Sequence, residues 1–144
     1  MSHRIAIISS RFNEDITRLL RQGALEQFEL RDNPIACDDL FIVPGAVEIP
    51  VVAACLAGQK KYAAIVCLGA VIRGETNHYE YVCQQVSYGC QKVAIDHKIP
   101  VVFGVLTTDN EFQALNRCGG SHGHKGKECA DAALDMIALL KKIE

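Results

Sequence analysis

Tyr62-Ala63-Ala64-Ile65-Val66-Cys67-Leu68-Gly69-Ala70 is apolar at nearly every position, with no polar residue returning at every second place. A strand with one wet face alternates. An unbroken run of this length reads instead as a strand covered on both faces, the habit of parallel sheets in α/β domains. Three shorter runs, Arg4 to Ser9, Asp39 to Val43 and Pro100 to Leu106, share the pattern. Between them the period changes. Ile16, Leu19, Leu20, Ala24 and Phe28 fall on one helical face and predict an amphipathic helix over 14–29. Further helices are predicted over 46–58, 77–97 and about 125–142, with a short one near 110–117. Asn77-x-x-Glu80 resembles a capping box at the start of the third. Strand then helix, repeated four times, specifies an α/β domain with a four-stranded parallel sheet and right-handed crossovers.

The 144 residues suit one domain, 1–144, and contain no linker, repeat or low-complexity segment. Fifteen Lys+Arg against seventeen Asp+Glu leave a net charge of −2 with no basic stripe, which argues against nucleic acid or an anionic membrane as the main partner. The apolar stretch Ile5-Ala6-Ile7-Ile8 ends at Ser9-Ser10-Arg11, too soon for an export signal or a membrane span, so a cytoplasmic protein is expected. Seven cysteines are an odd number, none is spaced C-x-x-C, and most sit in apolar runs such as Ala53-Ala54-Cys55-Leu56. They read as reduced, buried thiols acting as small hydrophobes.

Open parallel sheets bind ligands beyond the carboxyl ends of their strands. Four predicted loops gather there: 9–13, 44–48, 71–77 and 107–110. They hold Phe12 beside Arg11 and Asn13, a Pro44-Gly45 turn leading to Glu48, and the polar run Arg73-Gly74-Glu75-Thr76-Asn77-His78. Gly74 to Asn77 before a helix suits an anion, because the first helical N–H groups lack partners, although an ordinary helix start looks the same. His78 in the first turn is placed for proton transfer, the helix dipole disfavouring a second positive charge; a plain surface or packing histidine is the other reading. Arg117 offers a planar fork for phosphate and Lys125 a point charge, or both are solvated helix-end cations. Glu48 either orients a polar substrate or stabilises its own helix. His97 reads as a contact at its helix end and His3 as solvated.

His122 and His124 lack a third ligand of suitable spacing, so no metal site is expected, and their glycine-rich flanks suggest a mobile loop. There is no P-loop, no G-x-G-x-x-G after the first strand and no G-x-S-x-G elbow, and no cysteine stands beside a histidine in a candidate loop. Nucleotide hydrolysis, dinucleotide binding and nucleophilic catalysis lose their usual signatures.

The order of these blocks resembles the 6,7-dimethyl-8-ribityllumazine synthase family of riboflavin biosynthesis. The resemblance rests on Ser10-Arg11-Phe12-Asn13, Val43-Pro44-Gly45-Ala46-Val47-Glu48-Ile49-Pro50, and the long block Leu68 to Val82 containing Arg73-Gly74-Glu75-Thr76-Asn77-His78-Tyr79-Glu80. Phe103-Gly104-Val105-Leu106-Thr107-Thr108, Arg117 and Lys125-Gly126 follow in order, so nearly the whole chain is covered. It implies a flavodoxin-like α/β/α sandwich and a transferase-class condensing enzyme without metal or organic cofactor. The substrates implied are 5-amino-6-(D-ribitylamino)uracil and 3,4-dihydroxy-2-butanone 4-phosphate, with phosphate and water released. By matching position, Phe12 stacks on the pyrimidine and Ala46, Val47 and Glu48 line the ribityl side. Ala70, Val71 and Ile72 hold the uracil edge, with Phe103 in the same pocket. Glu75 and Thr76 present backbone donors to the phosphate, Arg117 grips it with Lys125 as a further contact, and His78 transfers protons.

Departures from the family pattern are Val47, where many members carry an aromatic residue, His124, where Asn commonly precedes Lys-Gly, and a short segment before the first strand. The resemblance also implies a homo-oligomer, a pentamer or a larger icosahedral shell, in which Phe103, Arg117 and Lys125 reach across to a neighbour's loops, and riboflavin synthase as a partner. Two other classes stand beside it: a non-catalytic relative holding riboflavin or lumazine in the same pocket, and a flavodoxin-like module that retains FMN.

Overall fold

The structure is a computed structural model and describes residues 2–144. In chain order its elements are β1 (Ile5–Ser10), α1 (Glu14–Leu30), β2 (Leu40–Val43), α2 (Ile49–Gly58), β3 (Ala64–Ile72), α3 (His78–His97), β4 (Val101–Thr108), α4 (Glu111–Leu115), β5 (Cys118–Gly120), β6 (Gly123–His124) and α5 (Lys125–Ile143). Short 3₁₀ turns at Cys37–Asp39 and Ala46–Glu48 lead into β2 and α2. The first four strands form one parallel sheet in the order β2-β1-β3-β4.

The unbroken apolar runs are explained by burial on both sides. Ile5 and Ile7 of β1 and Val66, Leu68 and Ala70 of β3 pack with Ile16, Leu20 and Phe28 of α1 and Ala130 and Ala133 of α5. Ala6, Ile8, Ile65, Cys67 and Val71, pointing the other way, pack with Ile49 and Ala53 of α2 and Val86 and Val93 of α3. The result is a three-layer α/β/α sandwich of the flavodoxin-like type. Burial fades at the sheet margins. Ile42 on β2 is 46% exposed, and Val101 to Phe103 on β4 are half-buried.

Four expectations are corrected. Only Cys67, Cys90 and Cys129 are buried, whereas Cys37 and Cys55 are exposed and Cys83 and Cys118 lie between. Cys55 sits in an apolar run, but a helix buries one face, and in α2 that face is Ile49, Ala53, Leu56 and Ala57. The Asn77 side chain caps nothing; the Thr76 hydroxyl accepts the His78 N–H instead, at 3.3 Å. The segment over 118–124 is no irregular loop, because β5 and β6 pair antiparallel as a tight hairpin, with Gly119 and Gly123 supplying the positive φ angles it needs. His3 is half-buried, and both its N–H and its carbonyl bond the Asn33 side chain.

Candidate functional site

The strand order places the topological switch between β1 and β3, where crossovers leave in opposite directions and a crevice opens outside the carboxyl ends. A cavity of about 330 Å³ lies there, its walls including Phe12, Ala46, Val47, Ala70, Val71, Ile72, Thr76 and His78. Each wall has a local cause. The β1–α1 loop is zipped to the β2 loop by Arg11 N–H to the Val43 carbonyl (2.7 Å) and Phe12 N–H to the Pro44 carbonyl (3.0 Å). Asn13 then turns the chain through a left-handed conformation, φ 61°, and its Nδ2 donates to the Ala70 carbonyl at 2.9 Å. These bonds leave Phe12 70% exposed at the cavity, where its ring is available as an aromatic platform.

Across the cavity, Ala46 and Val47 belong to the 3₁₀ turn that opens α2. Glu48 closes this turn, its Oε1 accepting the Gly45 N–H at 2.9 Å, so the carboxylate is turned toward its own backbone and is not part of the cavity wall. Ala70, Val71 and Ile72 end β3, and the chain then runs through exposed Gly74, Glu75 and Thr76 to His78, the first residue of α3. Glu75 also lies off the wall. Arg73 anchors this loop. Its guanidinium stacks on the Tyr79 ring at 4.4 Å, pairs with Asp109 at 3.0 Å and approaches Glu80 at 3.7 Å. The Asp109 bond holds the Arg73 proton more firmly than usual, so this cation is already engaged.

Phe103, Arg117 and Lys125 line a second, polar cleft of about 700 Å³ beside the end of β4, together with Thr107, Asn110, His122 and Glu128. Arg117 and Lys125 form no ion pair among the described residues, and the Lys125 N–H donates to the Arg117 carbonyl at 2.7 Å, which links the two backbones directly. Within one chain the expected residues therefore divide between two cavities, with Glu48 and Glu75 off both walls. Among the described residues no three His, Cys, Asp or Glu cluster as metal ligands, and no helix is long and apolar enough to cross a membrane.

Sequence reasoning placed Asn13 and Gly45 in the candidate loops without giving them a role, and gave Tyr79 none; all three line the switch cavity. Asn13 had a usable signal: an asparagine between a strand end and a helix start is a residue type that tolerates the left-handed turn.

Comparison with known proteins bears directly on this geometry. Residues 2–141 match the family model for 6,7-dimethyl-8-ribityllumazine synthase. A protein of that name from Coxiella burnetii (strain Dugway 5J108-111) is 53% identical over 99% of this chain and 95% of the relative. Another, from Coxiella burnetii (strain RSA 493 / Nine Mile phase I), is 52% identical with the same coverage. A family model spanning almost every residue, with relatives matched end to end at this identity, leaves one conclusion: the chain belongs to the 6,7-dimethyl-8-ribityllumazine synthase family.

Proposed function

We propose that this chain, acting as one domain over 1–144, condenses 5-amino-6-(D-ribitylamino)uracil with 3,4-dihydroxy-2-butanone 4-phosphate to form the lumazine ring, releasing phosphate and water. The observation that carries the reading is the switch cavity, in which an exposed aromatic ring, a strand-end backbone edge and a histidine at a helix start share one small space. Phe12 stacks on the pyrimidine. The backbone of Ala70, Val71 and Ile72 reads its polar edge, while Ala46 and Val47, with Glu48 beside them, border the ribityl chain.

The chemistry asks for orientation and proton movement more than for a nucleophile. The aryl amine attacks the ketone and water leaves as an imine forms. Phosphate is then eliminated, and the ribitylamino nitrogen closes the ring with a second loss of water. His78 carries protons between these steps. The loop containing Glu75 and Thr76 offers backbone donors, and Arg117, with Lys125, grips the phosphate.

Because Phe103, Arg117 and Lys125 line a cleft separate from His78, we place each complete site between neighbouring copies of the chain, in a pentamer or a larger icosahedral shell. Part-exposed apolar residues on both edge strands, Ile42 on β2 and Val101 to Phe103 on β4, support assembly, since such edges are ordinarily covered. The same reading puts the protein in the cytoplasm, where thiols stay reduced, and makes riboflavin synthase a partner.

The deciding experiment mixes purified protein with both substrates and follows lumazine absorbance or fluorescence. Product formation at no more than the uncatalysed rate refutes the reading. Sedimentation supplies the second test, since an active monomer is incompatible with a shared site.

A further inference from the structure

One side chain beside the phosphate-gripping cations takes no part in the chemistry above. His124 ends β6 and is half-buried, with its imidazole seated on Gly23 of α1. A Cβ on Gly23 would overlap ring atoms Cε1 and Nε2, so only glycine leaves this notch open. Two residues on, Gly126 is pressed against the Leu20 carbonyl of α1 so closely that a Cβ there would collide with it. The ring's Nδ1 accepts the Lys127 N–H at 3.4 Å and so caps α5. Across the hairpin, Cys118 pairs with His124, and the next bond outward is Lys125 N–H to the Arg117 carbonyl. The backbones of both cations are thus fastened to the segment that His124 pins to α1.

We propose that His124 is a positioning residue: its neutral ring, seated in the Gly23 notch and capping α5 through Nδ1, holds Arg117 and Lys125 at the spacing that grips phosphate, and protonation of the ring loosens that grip. The inference rests on the phosphate role assigned to Arg117 and Lys125 above. An Nδ1 that carries a proton has no lone pair for the Lys127 N–H, so the cap and the charged ring are mutually exclusive. Lys127 on α5 opposes the charged ring, Glu26 on α1 and Glu128 on α5 favour it, and Cys118, its partner across the hairpin, donates its thiol to the Ala114 carbonyl at 3.4 Å. Burial, then Lys127, outweigh the ring's hydrogen bond to its own backbone and the two carboxylates, and hold the imidazole below its ordinary 6.5. The cap is therefore intact at neutral pH and is lost only in more acid solution.

The sign discriminates between mechanisms. A histidine that merely added positive charge would tighten phosphate in acid; one whose protonation releases the hairpin weakens it. The test uses wild-type protein, His124→Asn and Gly23→Ala. Inorganic phosphate is titrated calorimetrically between about pH 5.5 and 8, spanning the histidine range, with kcat and KM measured alongside. Asn supplies a cap acceptor that does not titrate.

Wild-type phosphate affinity is expected to fall more steeply with acidification than that of His124→Asn, the second ionisation of inorganic phosphate within this pH range being common to both. Gly23→Ala, which expels the ring, is expected to weaken phosphate on the order of ten- to a hundredfold with kcat near wild type. Should that variant fail to fold, the pH comparison with His124→Asn decides alone. Parallel pH profiles, tighter phosphate in acid, or no phosphate binding by wild-type protein would each overturn the inference. Absence of lumazine formation overturns the catalytic reading instead, and the phosphate titration still reports on His124.

Discussion

Replacing Glu48 by alanine and by glutamine separates two tasks open to one carboxylate. Glu48 Oε1 accepts the Gly45 N–H at 2.9 Å and closes the turn that presents Ala46 and Val47 to the cavity. A capping contact of this kind contributes about 1 kcal/mol, within a range of roughly 0.5–2. For a chain of this size that is a shift of about 2–4 °C in melting temperature. Glu48→Ala is accordingly expected to melt about 2–4 °C below wild type, and to raise KM for the ribitylaminouracil because the turn behind Ala46 and Val47 is loosened. Glutamine keeps the accepting oxygen and loses only the charge, so Glu48→Gln should melt within about 1 °C of wild type and retain most of its affinity for that substrate. Differential scanning calorimetry and steady-state kinetics at saturating butanone phosphate supply both numbers. If Glu48→Gln loses as much affinity as Glu48→Ala while both melt like wild type, the cap argument is wrong and the charge itself meets the ligand.

Three further outcomes follow from the geometry. Arg117→Ala should raise KM for the phosphorylated substrate far more than for the uracil, and equal effects on both would argue against a phosphate grip. His78→Ala should lower kcat modestly with near-normal KM values, because orientation by the remaining walls survives; a collapse in binding instead would make His78 a structural residue. Asp39 concerns stability against acid. Burial pushes its carboxyl up, but hydrogen bonds from Arg4 and the Tyr62 hydroxyl (2.8 Å) together with the charges of Arg4 and Lys61 outweigh this and leave it below the ordinary 3.8. A carboxylate lowered on folding stabilises the protein above its unfolded value and loses that contribution as pH falls below about 3.8. Asp39→Asn should cost roughly 1–3 kcal/mol at neutral pH and flatten the acid limb of urea-unfolding stability. An acid limb as steep as wild type would remove Asp39 from the account.

Several features were legible because they are encoded locally. The run from Tyr62 to Ala70 contains the information that β3 is covered on both faces, and the spacing from Ile16 to Phe28 contains the buried face of α1. Alternating strand and helix then place the loops of Phe12, Ala46 and His78 at one sheet edge, and in the structure all three residues line one cavity. Features that depend on a distant partner were not legible. Cys55 looks buried from its neighbours yet is exposed, since which side of a helix is covered depends on where the sheet lies. The glycine-rich stretch around 119–126 looks mobile and is a hairpin, because the residue that receives His124 is Gly23, on a helix formed much earlier in the chain.

The sequence by itself determined the layer architecture, the loops that border the switch cavity and the family, all of which rest on short-range periodicity and contiguous motifs. Only the tertiary structure decided that Glu48 turns to its own backbone, that Phe103, Arg117 and Lys125 line a cleft apart from His78, and that a ring on one element fills a notch in another. Hydrogen bonds and steric fit act over a few ångströms, and folding brings within that reach groups whose separation along the chain carries no trace of the encounter.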